Sequence, residues 1–334
     1  MKPYFLLLLF LSACTLPPRE QTAAIMNETT ETAAAIDPAT EEYVMVTTAI
    51  NLPLYVRHDQ AAFKRWGEQK GVKVSILGPA EWDIPAQIET IEQVIASRPS
   101  GLLINGTDPG IAAAVNKAVD AGIPTVVYDS DIPNCRRHAF LGSDWYQMGL
   151  AQGERVGQLT GGRGKVACLG LLGMSNMEAG FRGLQDALKK YPNIEFIGKF
   201  EDKANVETAA RITADLMAAH PDLAAVCGFT SSTGPGIALA VKEAGKVGKI
   251  KITTVDMEPE HLQLVREGVI QLLVGQKREL FTWYGAEFLH DMAHRTNQFS
   301  RNDRRSGISP LPYSVNTGLV TVDSRNIAAF GAGQ

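Results

Sequence analysis

From Tyr43 onward, short β-branched or apolar runs alternate with longer segments whose apolar residues recur at helical spacing. Strands are expected over Val44–Ile50, Val72–Leu77, Gly101–Ile104, Pro124–Tyr128 and Ala139–Gly142. Helices are expected between them, over Leu54–Gln69, Ile84–Ser97 and Gly110–Ala121. The rhythm then repeats, with helices over 145–159, 177–190, 205–219, 234–244 and 258–267. They alternate with strands over 165–171, 194–199, 223–228, 250–255 and 269–274. A long helix over 279–295, a polar stretch over 296–312 and a last strand over Ser314–Val322 follow. Each strand is short and hydrophobic throughout, as when helices cover both faces of a sheet. Strands alternating with helical patterns give parallel sheets. The expectation is therefore α/β, with two doubly wound parallel-sheet lobes.

The chain before Tyr43 follows neither period. Lys2 precedes an apolar run from Tyr4 to Leu11, which ends in Leu11-Ser12-Ala13-Cys14. A charged start, a short apolar stretch and small residues before a cleavage point read as a secretory signal. A membrane-spanning helix needs about 20 apolar residues, more than this run or any later one offers. The Cys directly after small residues resembles a bacterial lipoprotein signal. That resemblance implies removal of residues 1–14 up to the Cys, lipidation of the Cys14 thiol, and a chain tethered by lipid in the periplasm or at the cell surface. Residues 15–42 are rich in Thr, Ala and Glu, with Pro17, Pro18 and Pro38. Such a stretch buries too little to offset its ordering entropy and is expected to be a disordered tether, reaching about 30 Å as a coil.

Composition narrows the choice of partner. The 334 residues carry a net charge of −4 with no basic block, so no nucleic-acid partner is expected. Apart from Cys14, three cysteines remain, at 135, 168 and 227, without CxxC spacing. Cys168 and Cys227 fall in apolar strand-like runs, which fits buried thiols and leaves a bridge between them as the alternative. His290 and His294 stand one turn apart on a helix, but Asp291 replaces the Glu of the zinc motif and no third ligand follows at a fixed spacing. No metal is therefore expected. Gly161-Gly-Arg-Gly-Lys165 precedes a strand and lacks the Ser or Thr of a phosphate loop. Gly234-Pro-Gly236 has Leu239 where a dinucleotide loop needs its third Gly. No catalytic triad is locally suggested, so neither an enzyme nor a cofactor is expected.

Open parallel sheets bind ligands beyond the carboxyl ends of their strands. Those ends carry Asn51-Leu-Pro-Leu-Tyr55, Asn105-Gly-Thr-Asp108, Asp129-Ser-Asp131, Gly173-Met-Ser-Asn176, Thr230-Ser-Ser-Thr233, Asp256-Met-Glu258 and Gln276-Lys-Arg278. In order and spacing they resemble the ribose-type periplasmic sugar-binding proteins over residues 43 to about 325. Asn51 to Tyr55 is similar to the family's Asn-x-Pro-Phe-Phe loop, Asp129 and Asp256 to its ligand-binding carboxylates, and Gln276 to the Gln at its second interdomain crossover. Glu178 stands where the family has a ligand-binding Arg, and Thr230-Ser231 where it has Asn-Asp. Ribose itself is thus disfavoured.

The resemblance implies two lobes joined by a three-crossover hinge, residues 43–144 with 277–309 and residues 145–276 with 310–330. It implies a monomer that closes on a small sugar or polyol and delivers it to an ABC permease. A sensing module that signals through a membrane receptor or kinase is the alternative. Chemistry agrees, because carboxylates accept pairs of sugar hydroxyls in charge-assisted bonds and aromatic rings cover sugar faces. The candidate ligand residues are Asn51, Tyr55, Asp129, Trp145, Glu178, Thr230, Asp256 and Gln276. Arg57 is expected to be a solvated residue of a first helical turn.

Overall fold

The computed structural model of the protein describes residues 40–132, 134–300 and 303–331. The expected signal, Cys14 and all but the end of the expected tether lie outside the described residues. One sheet contains β1 (Glu42–Val46), β2 (Lys73–Leu77), β3 (Gly101–Gly106), β4 (Thr125–Asp129) and β5 (Ala139–Gly142). The other contains β6 (Arg163–Gly170), β7 (Asn193–Glu201), β8 (Leu223–Gly228), β9 (Lys251–Val255) and β10 (Leu272–Gln276). Two short strands complete them, β11 (Ser314–Asn316) beside β5 and β12 (Leu319–Val322) beside β10. The orders are β11-β5-β4-β3-β1-β2 and β12-β10-β9-β8-β6-β7, so the second sheet repeats the first. Every pairing is parallel except β10 with β12.

The expected closing strand over Ser314–Val322 is in fact two strands in different sheets. Gly318, at φ 79°, lies in the short break between them. The chain therefore passes between sheets after β5, after β10 and at Thr317-Gly318, with β11 still in the first sheet beyond the expected division at 309/310. At the other end, β1 starts at Glu42, and Glu41 before it is buried, so these two residues belong to the folded body and not to a tether. β10 starts at Leu272, later than its apolar run suggests, which brings Gln276 to the strand's last position.

Alternation along the strands builds a core on each face of each sheet. In the first lobe, Tyr43 and Met45 pack with Leu103 and Val126 under α1 (Ala61–Lys70) and α9 (Arg278–Ala293). Val44, Val46, Leu102 and Ile104 pack on the opposite face under α2 (Ile84–Ser97) and α3 (Ala112–Asp120). In the second lobe, α4 (Trp145–Leu159) and α5 (Ser175–Leu188) cover one face. There Cys168 and Cys227 stand opposite each other on β6 and β8 as buried free thiols. The other face carries α6 (Val206–Ala219), α7 (Thr233–Glu243) and α8 (Pro259–Arg266).

Helices α4 and α5 approach each other closely. Gly149, Gly153 and Gly157 recur at every fourth residue and form one bare stripe along α4. A Cβ at Gly149 would stand 1.9 Å from the Gly180 carbonyl oxygen and 2.7 Å from the Leu184 nitrogen, both backbone atoms that move only with the helix. Gly149→Ala is accordingly expected to destabilise the second lobe by about 1–3 kcal/mol, the usual cost of overpacking. A fall in the thermal midpoint checks this, and an unchanged midpoint would show that the two helices have room to part.

Candidate functional site

The two sheets present their carboxyl ends to one another, and the residues there are polar and buried. β4 ends on Asp129 and β9 is followed by Asp256. Both adopt left-handed backbone conformations, at φ 77° and 69°, although neither is glycine. Such a conformation costs about 1–2 kcal/mol for an L-residue and persists only where the surroundings enforce it. The two lobes thus hold an aspartate in the same strained geometry at topologically equivalent strand ends.

Arg278 lies between these carboxylates. It is the first residue of α9, directly after the second crossover, and only 3% exposed. Its guanidinium grips Asp59 with Nε and Nη2, at 2.9 and 2.7 Å, and donates from Nη1 to Asp129 at 3.0 Å. Its centre stands 5.1 Å from the Tyr55 ring centroid. Tyr55 and Asp59 share a six-residue π-helical stretch, Tyr55–Gln60, which leads into α1. Wide turns of this kind are frequent at functional sites. Thr282 Oγ1 donates to the Asp59 carbonyl at 2.8 Å and fixes that stretch to α9.

Asp129 is oriented from its other side as well. Asn105 Nδ2 donates to its Oδ2 at 3.2 Å, and the Asn105 Oδ1 accepts from the Thr48 hydroxyl at 2.8 Å. Gln87 Nε2 donates to the Asn105 carbonyl at 2.9 Å. In the second lobe, burial pushes the Asp256 carboxyl up to about 6, while the Arg278 cation opposes the rise and the Asp129 and Glu258 charges add to it. Arg278 holds its proton well above the ordinary guanidinium range, since burial is outweighed by Asp129 and Asp59. Gln276 Oε1, the Tyr128 hydroxyl, Ser143 Oγ and Trp145 Nε1 are buried without a hydrogen-bond partner. Buried polar atoms are seldom left so, and here they are a ready set of donors and acceptors around the crossovers.

Contacts between the lobes flank this cluster. Glu258, just past β9, receives hydrogen bonds from Arg57 and, at 2.8 Å, from His58 Nε2. His58 Nδ1 meets Glu279 at 2.6 Å. The Ser175 hydroxyl, at the start of α5, donates to the Asp131 carbonyl at 3.5 Å. The Glu258 and Glu279 carboxylates raise His58 to about 9, against the effect of burial.

Of the candidate residues, Tyr55, Asp129, Asp256 and Gln276 come together at this cluster. Thr230 is buried at the end of β8, where its hydroxyl pairs with Thr233 Oγ1 at 2.7 Å. Trp145 packs into the second lobe's core with Phe181 and Phe229 nearby. Asn51 lies exposed in the turn after β1. Glu178 accepts from Lys199 Nζ at 2.6 Å and from the Gly173 backbone at 3.2 Å, and these bonds hold it below the ordinary carboxylate range. It serves the loop after β6 and makes no contact with Asp129 or Asp256. Arg57, expected as a solvated residue, is half exposed but engaged by Glu258. Asp59 escaped sequence reasoning, although its place four residues after Tyr55 and four before Phe63 sets it on the buried face of the helix.

Residues 43–296 match the family model described as a periplasmic binding protein domain. The ribose import binding protein of Bacillus subtilis is 25% identical over 252 residues, which span 74% of this chain and 80% of that protein. The D-allose-binding periplasmic protein of Escherichia coli is 25% identical over 250 residues, spanning 71% and 80%. Among solved structures, a sugar-binding protein of a sugar ABC transporter from Bacillus halodurans superposes with a TM-score of 0.79 at 29% identity. It covers 87% of this chain and 100% of its own. An arabinose binding protein from Geobacillus stearothermophilus gives 0.76 at 29% identity, with 87% and 99% covered. The repeated sheets, the three passages between them and the match across most of the chain agree, and the protein belongs to the periplasmic binding protein family.

Proposed function

We propose that this protein captures a small sugar or polyol between its lobes and delivers it to an ABC-type importer. The observation that carries the reading is the pair of strained, buried aspartates, one from each lobe, facing a common guanidinium. Their carboxylates accept hydroxyl protons in charge-assisted bonds, Arg278 and Gln276 supply donors, and Tyr55 offers a ring face. A ligand that contacts both lobes favours the closed arrangement by its difference in affinity for the two states. The relatives whose names refer to ribose, D-allose and arabinose support a monosaccharide. Family membership implies work outside the cytoplasm, and the chain is read as a monomer that acts by binding.

Calorimetry against a panel of pentoses, hexoses and polyols tests this. One class is expected to bind, with Asp129→Ala and Asp256→Ala each weakening it by about 10- to 100-fold, as loss of a hydrogen bond to a charged group implies. Unchanged affinity in both variants would falsify the assignment of the cleft.

The lobe-bridging His58 adds a pH dependence. Its proton is held above the ordinary value of 6.5, so its contribution to closure is complete below that pH and is lost as pH rises through about 9. Asp256 must be ionised to accept, so affinity also falls as pH drops below about 6. Ligand affinity is expected to be highest at about pH 6–6.5 and to decline about two- to fivefold from there to about pH 9, the worth of a part-exposed ion pair. His58→Gln should flatten the alkaline limb alone. A limb that persists in the variant would assign it to another group.

We read Lys2, the apolar run and Leu11-Ser12-Ala13-Cys14 as a lipoprotein signal, with Cys14 the anchor point. Metabolic labelling with a fatty acid is expected to mark the wild-type chain and not Cys14→Ser. Equal labelling of both would remove the anchor.

A further inference from the structure

At the pole of the first lobe opposite the cleft, α9 carries His290 and His294 on one face. Their rings stack with centroids 4.1 Å apart. The third ligand that the local spacing did not offer comes from the opposite end of the chain. Glu41, immediately before β1, places Oε1 2.6 Å from His294 Nε2. Neither atom has hydrogen-bond geometry to the other or to anything else, although both are buried. One donor atom from each of Glu41, His290 and His294 falls within 4.8 Å of the others. We propose that these three side chains form a binding site for a divalent transition metal ion of the zinc class.

The chemistry of the donors favours this over a simple ion pair. The Glu41 side chain is 0% exposed, and a buried carboxylate oxygen without a hydrogen bond is costly. A cation shared with two imidazoles removes that cost. Its other oxygen accepts from the Tyr43 hydroxyl at 3.2 Å, the kind of outer contact that orients a metal-binding carboxylate. Tyr43 is itself fixed edge-on against Trp66, with centroids 5.1 Å apart. Two nitrogens and one carboxylate suit zinc, and a water would complete a tetrahedron. Bonds of about 2.0–2.1 Å place tetrahedral donors about 3.3 Å apart, so Glu41 and His294 need to part by about 0.7 Å on loading. The nearby Lys70 ammonium is engaged by Glu287 at 2.8 Å. A bound ion would staple the segment entering β1 to the last turn of α9. Because ligand binds beyond the opposite ends of the strands, the staple is independent of the cleft.

Tag-free chain in a Cys135→Ser background, to exclude the part-exposed thiol, is dialysed against zinc at about 10 µM free metal, and cobalt spectra are recorded in parallel. One equivalent of zinc per chain is expected, with visible cobalt bands of tetrahedral intensity and a rise in thermal midpoint. His290→Ala and His294→Ala should each abolish the bands and the rise, and Tyr43→Phe should weaken binding about tenfold. The histidine variants replace part-exposed side chains, so they remain informative if Glu41→Gln fails to fold. Their ligand response in the cleft should stay intact, which separates failure of this site from failure of the cleft assignment. Absence of stoichiometric zinc in the parent chain, or its retention in the His290→Ala, His294→Ala double variant, overturns the proposal.

Discussion

Burial of the Arg278 guanidinium is the constraint around which the rest of the cleft is arranged. A cation removed from water loses several kcal/mol of solvation, and only close carboxylates with good geometry offset that. Asp59 and Asp129 do so with three directed bonds, from a helical segment and a strand end that are distant in sequence. The need to present both carboxylates explains several otherwise separate features. The wide turn Tyr55–Gln60 carries Asp59 on the same buried face as Tyr55. The left-handed Asp129 aims its carboxyl back across the strand ends, and the Thr48–Asn105 pair prevents it from turning away. Truncating Arg278 would leave Asp59 and Asp129 buried without their counter-ion, so this one side chain holds the group together.

Buried ion pairs of this kind are weak contributors to stability, and apolar replacements of similar volume often do better. Their presence here is therefore better explained by what they present to a ligand. Three carboxylates, at 59, 129 and 256, share one guanidinium, so acceptors exceed donors in the cluster. A polyhydroxylated ligand would bring hydroxyl protons to carboxylate oxygens that Arg278 does not satisfy. The apolar ring of Tyr55 lies beside the same charges, and that pairing suits a molecule with polar edges and weakly apolar faces.

Much of this was legible in the chain because strand ends in parallel sheets are where ligands bind, and Asp129, Asp256 and Gln276 each follow an apolar run closely. The two parallel sheets follow from the same periodicity, whereas the order of strands within them does not. What escaped depends on contacts between distant segments. Asp59 sits inside a helical pattern, where an acidic residue reads as solvent-facing until α9 covers it. Glu178 was placed by correspondence with a family position, yet Lys199 on β7 captures it, and no local spacing reveals a partner on a neighbouring strand. The split of Ser314–Val322 into two strands was hidden because it lies in their partners, β5 for one and β10 for the other, which no local pattern reveals. Glu41 escaped as a neighbour of His290 and His294 for the same reason, since most of the folded chain intervenes.

The segment just after β9 serves both the buried cluster and the bridge between the lobes. Asp256 and Glu258 are two residues apart after β9, yet one faces the buried cluster and the other reaches Arg57 and His58 across the gap. Any rotation that separates the lobes must move both at once, since the left-handed turn at Asp256 fixes them to the same strand end. A ligand that contacted Asp256 would thereby act on the same strand end that carries the Glu258 bridge.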